Sequence, residues 1–168
     1  MADLSELLKE RFCDSKRIVI LGVGSPLKSD DAAGSIIAQR ISENFPEEKY
    51  PLIRVYMGES APENFTGEIK KFKPDHLLVI DAADLGEEPG SVTFIEMDVI
   101  KGVSFCTHML PLNIMLDYLK KETGTEITIL GIQPLNLSYD GKLTSEVIEA
   151  LDDVTFEISK LLKSIYNK

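Results

Sequence analysis

Residues that several functions depend on are scarce in this sequence. The 168 residues hold two cysteines, Cys13 and Cys106, and two histidines, His76 and His108. Two widely separated cysteines build neither a disulfide framework nor a clustered thiolate site, so buried, reduced thiols are expected. No run approaches the ~18 apolar residues of a membrane span, which argues against membrane insertion. The N-terminal Met1-Ala2-Asp3-Leu4-Ser5-Glu6 carries acid where an export signal carries base, and no apolar stretch follows at once. A cytoplasmic location is the expectation. Basic residues are in the minority, 18 against 28 acidic ones, for a formal net charge of -10 and a pI near 4.7. Nucleic acid is excluded as a partner, because phosphate contacts need a basic footprint. The acidity would suit a cationic partner surface, and it equally suits plain solubility. There is no H-E-x-x-H, no G-x-S-x-G and no P-loop, so neither a self-contained zinc protease nor a serine hydrolase is visible.

What is present is an ordinary globular composition, 43% hydrophobic and 27% charged, in a length suited to one domain spanning 1–168. Apolar and amphipathic runs alternate, the pattern of an α/β fold. The periodicity predicts helices over about 3–12, 31–44, 62–72, 111–122 and 145–166. It predicts strands over 17–23, 52–57, 76–81, 91–96 and 126–132. Ser29 and Ser60 are the candidate N-caps of the second and third helices. Arg17–Val23 and His76–Asp81 are continuous apolar, largely β-branched runs, as in strands covered on both faces. The connection from 82 to 90 is too short for a helical crossover, so the strand after it should run antiparallel to the third. The expected architecture is a three-layer α/β/α sandwich around a five-stranded, mostly parallel sheet with one antiparallel strand. Ligands in such sheets sit beyond the C-terminal strand ends, at the topological switch point.

Three segments leave those strand ends with unusual polar content. The first, Leu21 to Asp31, contains Gly22-x-Gly24. Leu27 stands where a dinucleotide fingerprint needs its third glycine, so the pair more simply permits a tight turn that brings Asp30 and Asp31 to the sheet edge. The second, Val79 to Asp84, places Asp81 directly after a buried strand, where a carboxylate must be paired, capped or bound to a cation. The third, Phe105 to Pro111, carries His108. Cys106 lies two residues before His108, and on a strand such neighbours point apart, which disfavours a nucleophilic Cys–His pair. Asp31, Asp81 and His108 form an O,O,N donor set suited to a borderline divalent ion such as Ni²⁺ or Zn²⁺. Plainer roles stay open for each: a first-turn acid, a cap of the turn after its strand, and a cap of the next helix. His76, at the opposite end of its strand, reads as structural.

The stretches GVGSPLKSDDAAG (22–34), GESAPENFTGEI (58–69), LLVIDAADLGEEPG (77–90), THMLPLN (107–113) and LGIQPLNL (130–137) together resemble the [NiFe] hydrogenase maturation endopeptidases, in the branch serving the formate-hydrogenlyase (hydrogenase 3) enzyme. Ser25 departs from the asparagine usual in that family, and Ala32-Ala33 from a glycine-containing pair. The resemblance implies the α/β/α sandwich already expected. It implies an endopeptidase that removes the C-terminal extension of a hydrogenase large-subunit precursor after nickel insertion. It also implies that Asp31, Asp81 and His108 are the catalytic, metal-engaging residues. The nickel would be carried by the substrate, with the site of the free enzyme empty or only weakly occupied. The alternative is a non-catalytic module that senses nickel through the same three residues. Asp30 and Asp84 are candidate bases, and Ser60, Glu63 and Gln133 have no assigned role.

Overall fold

The computed structural model describes residues 3–99, 104–105, 110–139 and 141–167. Five helices and six strands follow in the order α1 (Leu4–Arg11), β1 (Ile18–Val23), α2 (Ala33–Asn44), β2 (Ile53–Glu59), α3 (Thr66–Phe72), β3 (His76–Asp84), β4 (Val92–Ile95), β5 (Ser104–Phe105), α4 (Leu110–Thr123), β6 (Glu126–Ile132) and α5 (Ser145–Tyr166). Short 3₁₀ turns, Ser29–Ala32 and Pro62–Phe65, precede α2 and α3. The main sheet has the order β2-β1-β3-β6-β4. The first four are parallel, and β4 runs antiparallel to β6. The α/β/α expectation is therefore met.

Alternation along the strands sorts the core into two halves. Ile18, Ile20, Leu78, Ile80, Leu130 and Ile132 face α1, α2 and α5. Val19, Leu21, Leu77, Val79 and Ile129 face α3 and α4. In α5, Val147, Leu151, Val154, Ile158 and Leu161 recur at steps of four and three, and all are buried. Burying such a side chain contributes about 1.5–3 kcal/mol, so this stripe fixes α5 far more firmly than helix propensity does.

Several expectations require correction. The strand over 91–96 does run opposite to β3, but its neighbour is β6, and it closes the edge of the sheet. β5, not foreseen, pairs with the far end of β3 through Ala83↔Phe105 and Asp84↔Ser104. Ser29 is not an N-cap. It begins the 3₁₀ turn with φ 47°, and its hydroxyl donates to the Ser138 carbonyl at 2.8 Å. Ser60 caps nothing: the turn over Pro62–Phe65 is entered from Ala61 with no side-chain cap. Cys13, expected to be buried, is exposed. Cys106 and His108 lie outside the described residues.

Candidate functional site

The sheet order places the topological switch between β1 and β3, the first leading outward to β2 and the second lying on its other side. Asp31 belongs to the turn after β1, and Asp81 lies near the end of β3. The two aspartates therefore come from the two elements that flank the switch.

Two glycines allow this end of the molecule to close. Gly24 has φ 133°, and a Cβ on it would stand 1.7 Å from the Asp31 carbonyl oxygen. The loop folds back on itself only because that atom is missing. Gly34, in the first turn of α2, would set a Cβ 2.1 Å from the Ile80 carbonyl oxygen and 2.5 Å from that of Val23. The start of α2 thus rests on the ends of β1 and β3 together. The 3₁₀ turn bearing Asp31 packs against β3, the strand bearing Asp81.

Both carboxylates are buried, Asp31 to 1% exposure and Asp81 to 0%. Asp31 Oδ2 accepts the Ser25 backbone N–H at 2.9 Å, which pins the loop across six residues. Ser25 Oγ accepts the Leu27 N–H at 3.3 Å, so serine supplies the local turn bond in place of asparagine. Asp81 shares the strand parity of Leu77, Val79 and Ala83 and so faces the α3/α4 side of the sheet. His108 lies outside the described residues, but the chain on either side of it is placed. Phe105 pairs with Ala83, two residues past Asp81, and α4 begins at Leu110. Among the described residues no three His, Cys, Asp or Glu side chains are grouped as a metal site requires. His108, the third residue of the donor set expected from sequence, is not among them.

Asp30 has a different task. Its carboxylate, fully buried, accepts N–H bonds from Leu135 (2.9 Å), Asn136 (2.9 Å) and Thr144 (2.8 Å), and the Thr144 hydroxyl at 2.9 Å. Four donors occupy its lone pairs, so it is a clamp and not a free base. Asp84, by contrast, is exposed, with Oδ1 accepting the Gly86 N–H at 3.2 Å. Gln133 Oε1 accepts the backbone N–H groups of Leu85 (2.6 Å) and Glu87 (3.4 Å), fixing the loop that leaves β3. Glu59, at the end of β2, takes φ 49°, and its carbonyl accepts the Gly24 N–H at 2.8 Å. A glutamate held in left-handed backbone stores strain of the kind that collects at functional sites. No local pattern in the sequence announces that strain. The Gln133 contact was reachable only as part of the unassigned GIQP stretch.

Fold and polar centre define a class: a doubly wound α/β protein with buried carboxylates beside its switch point. The sequence profile of the HycI hydrogenase maturation proteases matches residues 36–161. The hydrogenase 3 maturation protease of Escherichia coli K12 is 35% identical over 137 residues, covering 81% of this chain and 85% of its own. A Methanocaldococcus jannaschii relative is 37% identical over 166 residues, covering 90% of this chain and 98% of its own. The crystal structure of the [NiFe] hydrogenase maturation protease HycI from Thermococcus kodakarensis superposes with a TM-score of 0.85 at 31% identity, covering 94% of this chain and 99% of that one. The chain belongs to the hydrogenase maturation protease family. It is accordingly a peptidase that acts on a hydrogenase precursor.

Proposed function

We propose that the protein removes a C-terminal extension from a [NiFe] hydrogenase large-subunit precursor, and that nickel already seated in that precursor is what it recognises. Asp31, Asp81 and His108 are the residues assigned to this contact. One observation carries the proposal: a fully buried carboxylate, Asp81, stands in the core strand β3, three residues before its end, and β3 packs against the turn that holds Asp31. Burial of an ionised carboxylate is costly and is retained where a cation or hydrogen bonds repay it. Two carboxylates and an imidazole leave room in the coordination of a borderline divalent ion for the thiolates of the substrate. Holding the substrate's nickel fixes the scissile peptide beside the enzyme, so water attacks within one complex. Water adds across the peptide bond: hydroxyl goes to the carbonyl carbon, and a proton goes to the leaving amine. Asp30, committed to four donors, does not serve as the base. Asp84 keeps access to solvent, but alternation along β3 turns it to the face opposite Asp81, so neither candidate base is assigned that role.

The test is a cleavage assay with purified protein and purified precursor, with and without nickel. Cleavage of the nickel-loaded precursor alone is expected. Binding without cleavage would instead make the chain a nickel-sensing module, and equal cleavage of nickel-free precursor would remove nickel from recognition. Normal processing by a His108→Ala variant would remove that residue from the site.

A further inference from the structure

β4 is an edge strand: among the described residues it pairs with β6 on one side and with no strand on the other. The Ser91 carbonyl points inward to the Gln133 N–H at 2.9 Å. By alternation along an antiparallel strand, Val92 and Phe94 direct their N–H and C=O groups outward. Open edges of this kind accept an extended polypeptide as an additional strand.

The edge borders a cleft of about 880 Å³ between β4, α1 and α5. Its apolar lining includes Leu4, Leu7, Val92, Phe94 and Val154. Its rim is acidic: Asp3, Glu96, Glu146, Glu149, Asp153 and Glu157 line it, against one cationic lining residue, Arg11. That arginine is already engaged, ion-paired with Glu96 and with its guanidinium 4.6 Å from the centroid of the Phe94 ring. Glu146, Glu149, Asp153 and Glu157 follow steps of three and four, so they form one stripe along α5. Glu149 and Asp153 are exposed, and among the described residues neither takes part in an ion pair. A second copy of this chain, itself of net charge -10, is a poor occupant for such a rim.

We infer that this cleft is a docking site for a basic, extended segment of the substrate protein, which adds to β4 as a strand and lays lysine or arginine side chains against the acidic stripe of α5. The inference rests on the proposed reading that a hydrogenase precursor is the substrate. The register connects the two places. Thr93 pairs with Gly131, and Gly131 pairs with Asp81. With strands about 4.8 Å apart, a segment added outside β4 crosses the row of Asp81 roughly 14 Å from it. That distance is between backbones: the cleft lies on the α1/α5 face of the sheet and the Asp81 side chain on the α3/α4 face, so a single substrate polypeptide reaches both by passing around the strand ends.

The first probe is a synthetic peptide of about eight residues alternating lysine and valine, titrated into the full-length protein. Binding with slowed amide exchange at Val92 and Phe94 is expected. The same peptide with glutamate for lysine, or with alternate nitrogens methylated, should bind at least about tenfold more weakly. The double charge reversal Glu149→Lys with Asp153→Lys, both on the exposed face of α5, should weaken the lysine peptide about tenfold and raise KM for the precursor by a similar factor at unchanged kcat. No peptide binding, binding without protection of Val92 and Phe94, or a KM indifferent to charge reversal would overturn the inference. Failure of the unaltered protein to cleave nickel-loaded precursor is a separate result. It would sink the proposed function and the assignment of the segment to that substrate, while the peptide titration still decides whether the cleft takes a basic strand.

Discussion

Asp30 accepts both the backbone N–H and the hydroxyl proton of Thr144, at 2.8 and 2.9 Å, across 114 residues of sequence. Thr144 is the N-cap of α5, and its hydroxyl makes no capping bond within the helix because it is given to Asp30. The start of the longest helix is thereby tied to the turn that carries Asp31. Gly141 completes the knot: a Cβ there would lie 1.9 Å from Ser29 Oγ and 2.5 Å from Ser138 Oγ.

Loss of this clamp should therefore be felt as stability first. Asp30→Ala strands buried donors from Leu135, Asn136 and Thr144, at about 1–3 kcal/mol for each group left unmatched. Partial hydration reduces the sum, and about 3 kcal/mol overall is the expectation, or a Tm lower by roughly 6–12 °C for a chain of this size. Asp30→Asn is not a mild change, because one half of the amide turns a donor toward donors. Thermal denaturation of both variants measures the effect. An unchanged Tm would mean that the loop over 134–144 is held by something other than Asp30.

Asp31 should behave differently from its neighbour. Its bond to the Ser25 N–H needs only an oxygen acceptor, and the amide of Asp31→Asn supplies one. The charge is what a metal-engaging role requires, since a neutral amide is a weak ligand for a divalent ion. Asp31→Asn is thus expected to keep its Tm within a few degrees and to lose about 100-fold in processing rate, equivalent to roughly 2.7 kcal/mol. Asp31→Ala should lose both. Measuring Tm beside cleavage of nickel-loaded precursor separates the two effects. Full activity in Asp31→Asn would reduce Asp31 to a loop fastener.

Gly34 tests whether the site depends on the seat of α2. A methyl group at Gly34 would meet the Ile80 carbonyl oxygen at 2.1 Å, and backbone on both sides leaves it nowhere to go. Gly34→Ala should push the start of α2 away from β3 at a cost of about 3 kcal/mol. It should also carry Asp31 away from the end of β3. The expected result is a lower Tm together with lost processing, although alanine is intrinsically the better helix former. Calorimetry and the cleavage assay check it. A stabilised, active Gly34→Ala would show that the packing at Ile80 is looser than these distances require.

The sheet was legible from sequence because its signal is strong. Ile18–Val23, 77–80 and 128–132 are largely apolar runs buried on both faces, and α5 carries a regular apolar stripe. Asp81 stood out because an acid directly after such a run is chemically anomalous, and Asp31 because the glycine turn after β1 delivers it to the sheet edge. What sequence did not reveal depends on distance in three dimensions. Ser29 has the composition of a cap, yet its hydroxyl is recruited by Ser138, 109 residues away. Asp30 looks like another first-turn acid until the loop after β6 closes over it. The neighbour of β4 could not be read from connection length, because a short loop fixes strand direction more firmly than strand pairing. His108, whose assignment came with the family resemblance, stands outside the described residues.

His76 supplies the remaining prediction, and it concerns pH. The ring is buried at the start of β3, stacked on Phe12 with centroids 3.8 Å apart. Its Nε2 lies 2.7 Å from Thr128 Oγ1, and Nδ1 lies 3.3 Å from Ser15 Oγ. Burial, assisted by the nearby Arg11 guanidinium, lowers its pKa from 6.5 to about 4. The folded protein therefore holds this imidazole neutral at pH values where the unfolded chain protonates it. Between about 6.5 and 4 the unfolded state binds more protons, so stability contributed by His76 falls as pH falls through that window and is lost below it. With one pKa unit equivalent to about 1.4 kcal/mol, the loss over the whole window is on the order of 3.5 kcal/mol. Carboxylates also titrate near the acid end, so the informative quantity is a difference between proteins. Urea denaturation at pH 7 and pH 4.5 should show a steeper loss in the unaltered protein than in His76→Gln, which cannot take up the proton. The variant should be the less stable of the two at pH 7, because it loses the stack on Phe12, and the gap should narrow on acidification. Parallel pH dependences would mean that the ring is protonated as easily in the folded chain as in the unfolded one, contrary to its burial against Phe12.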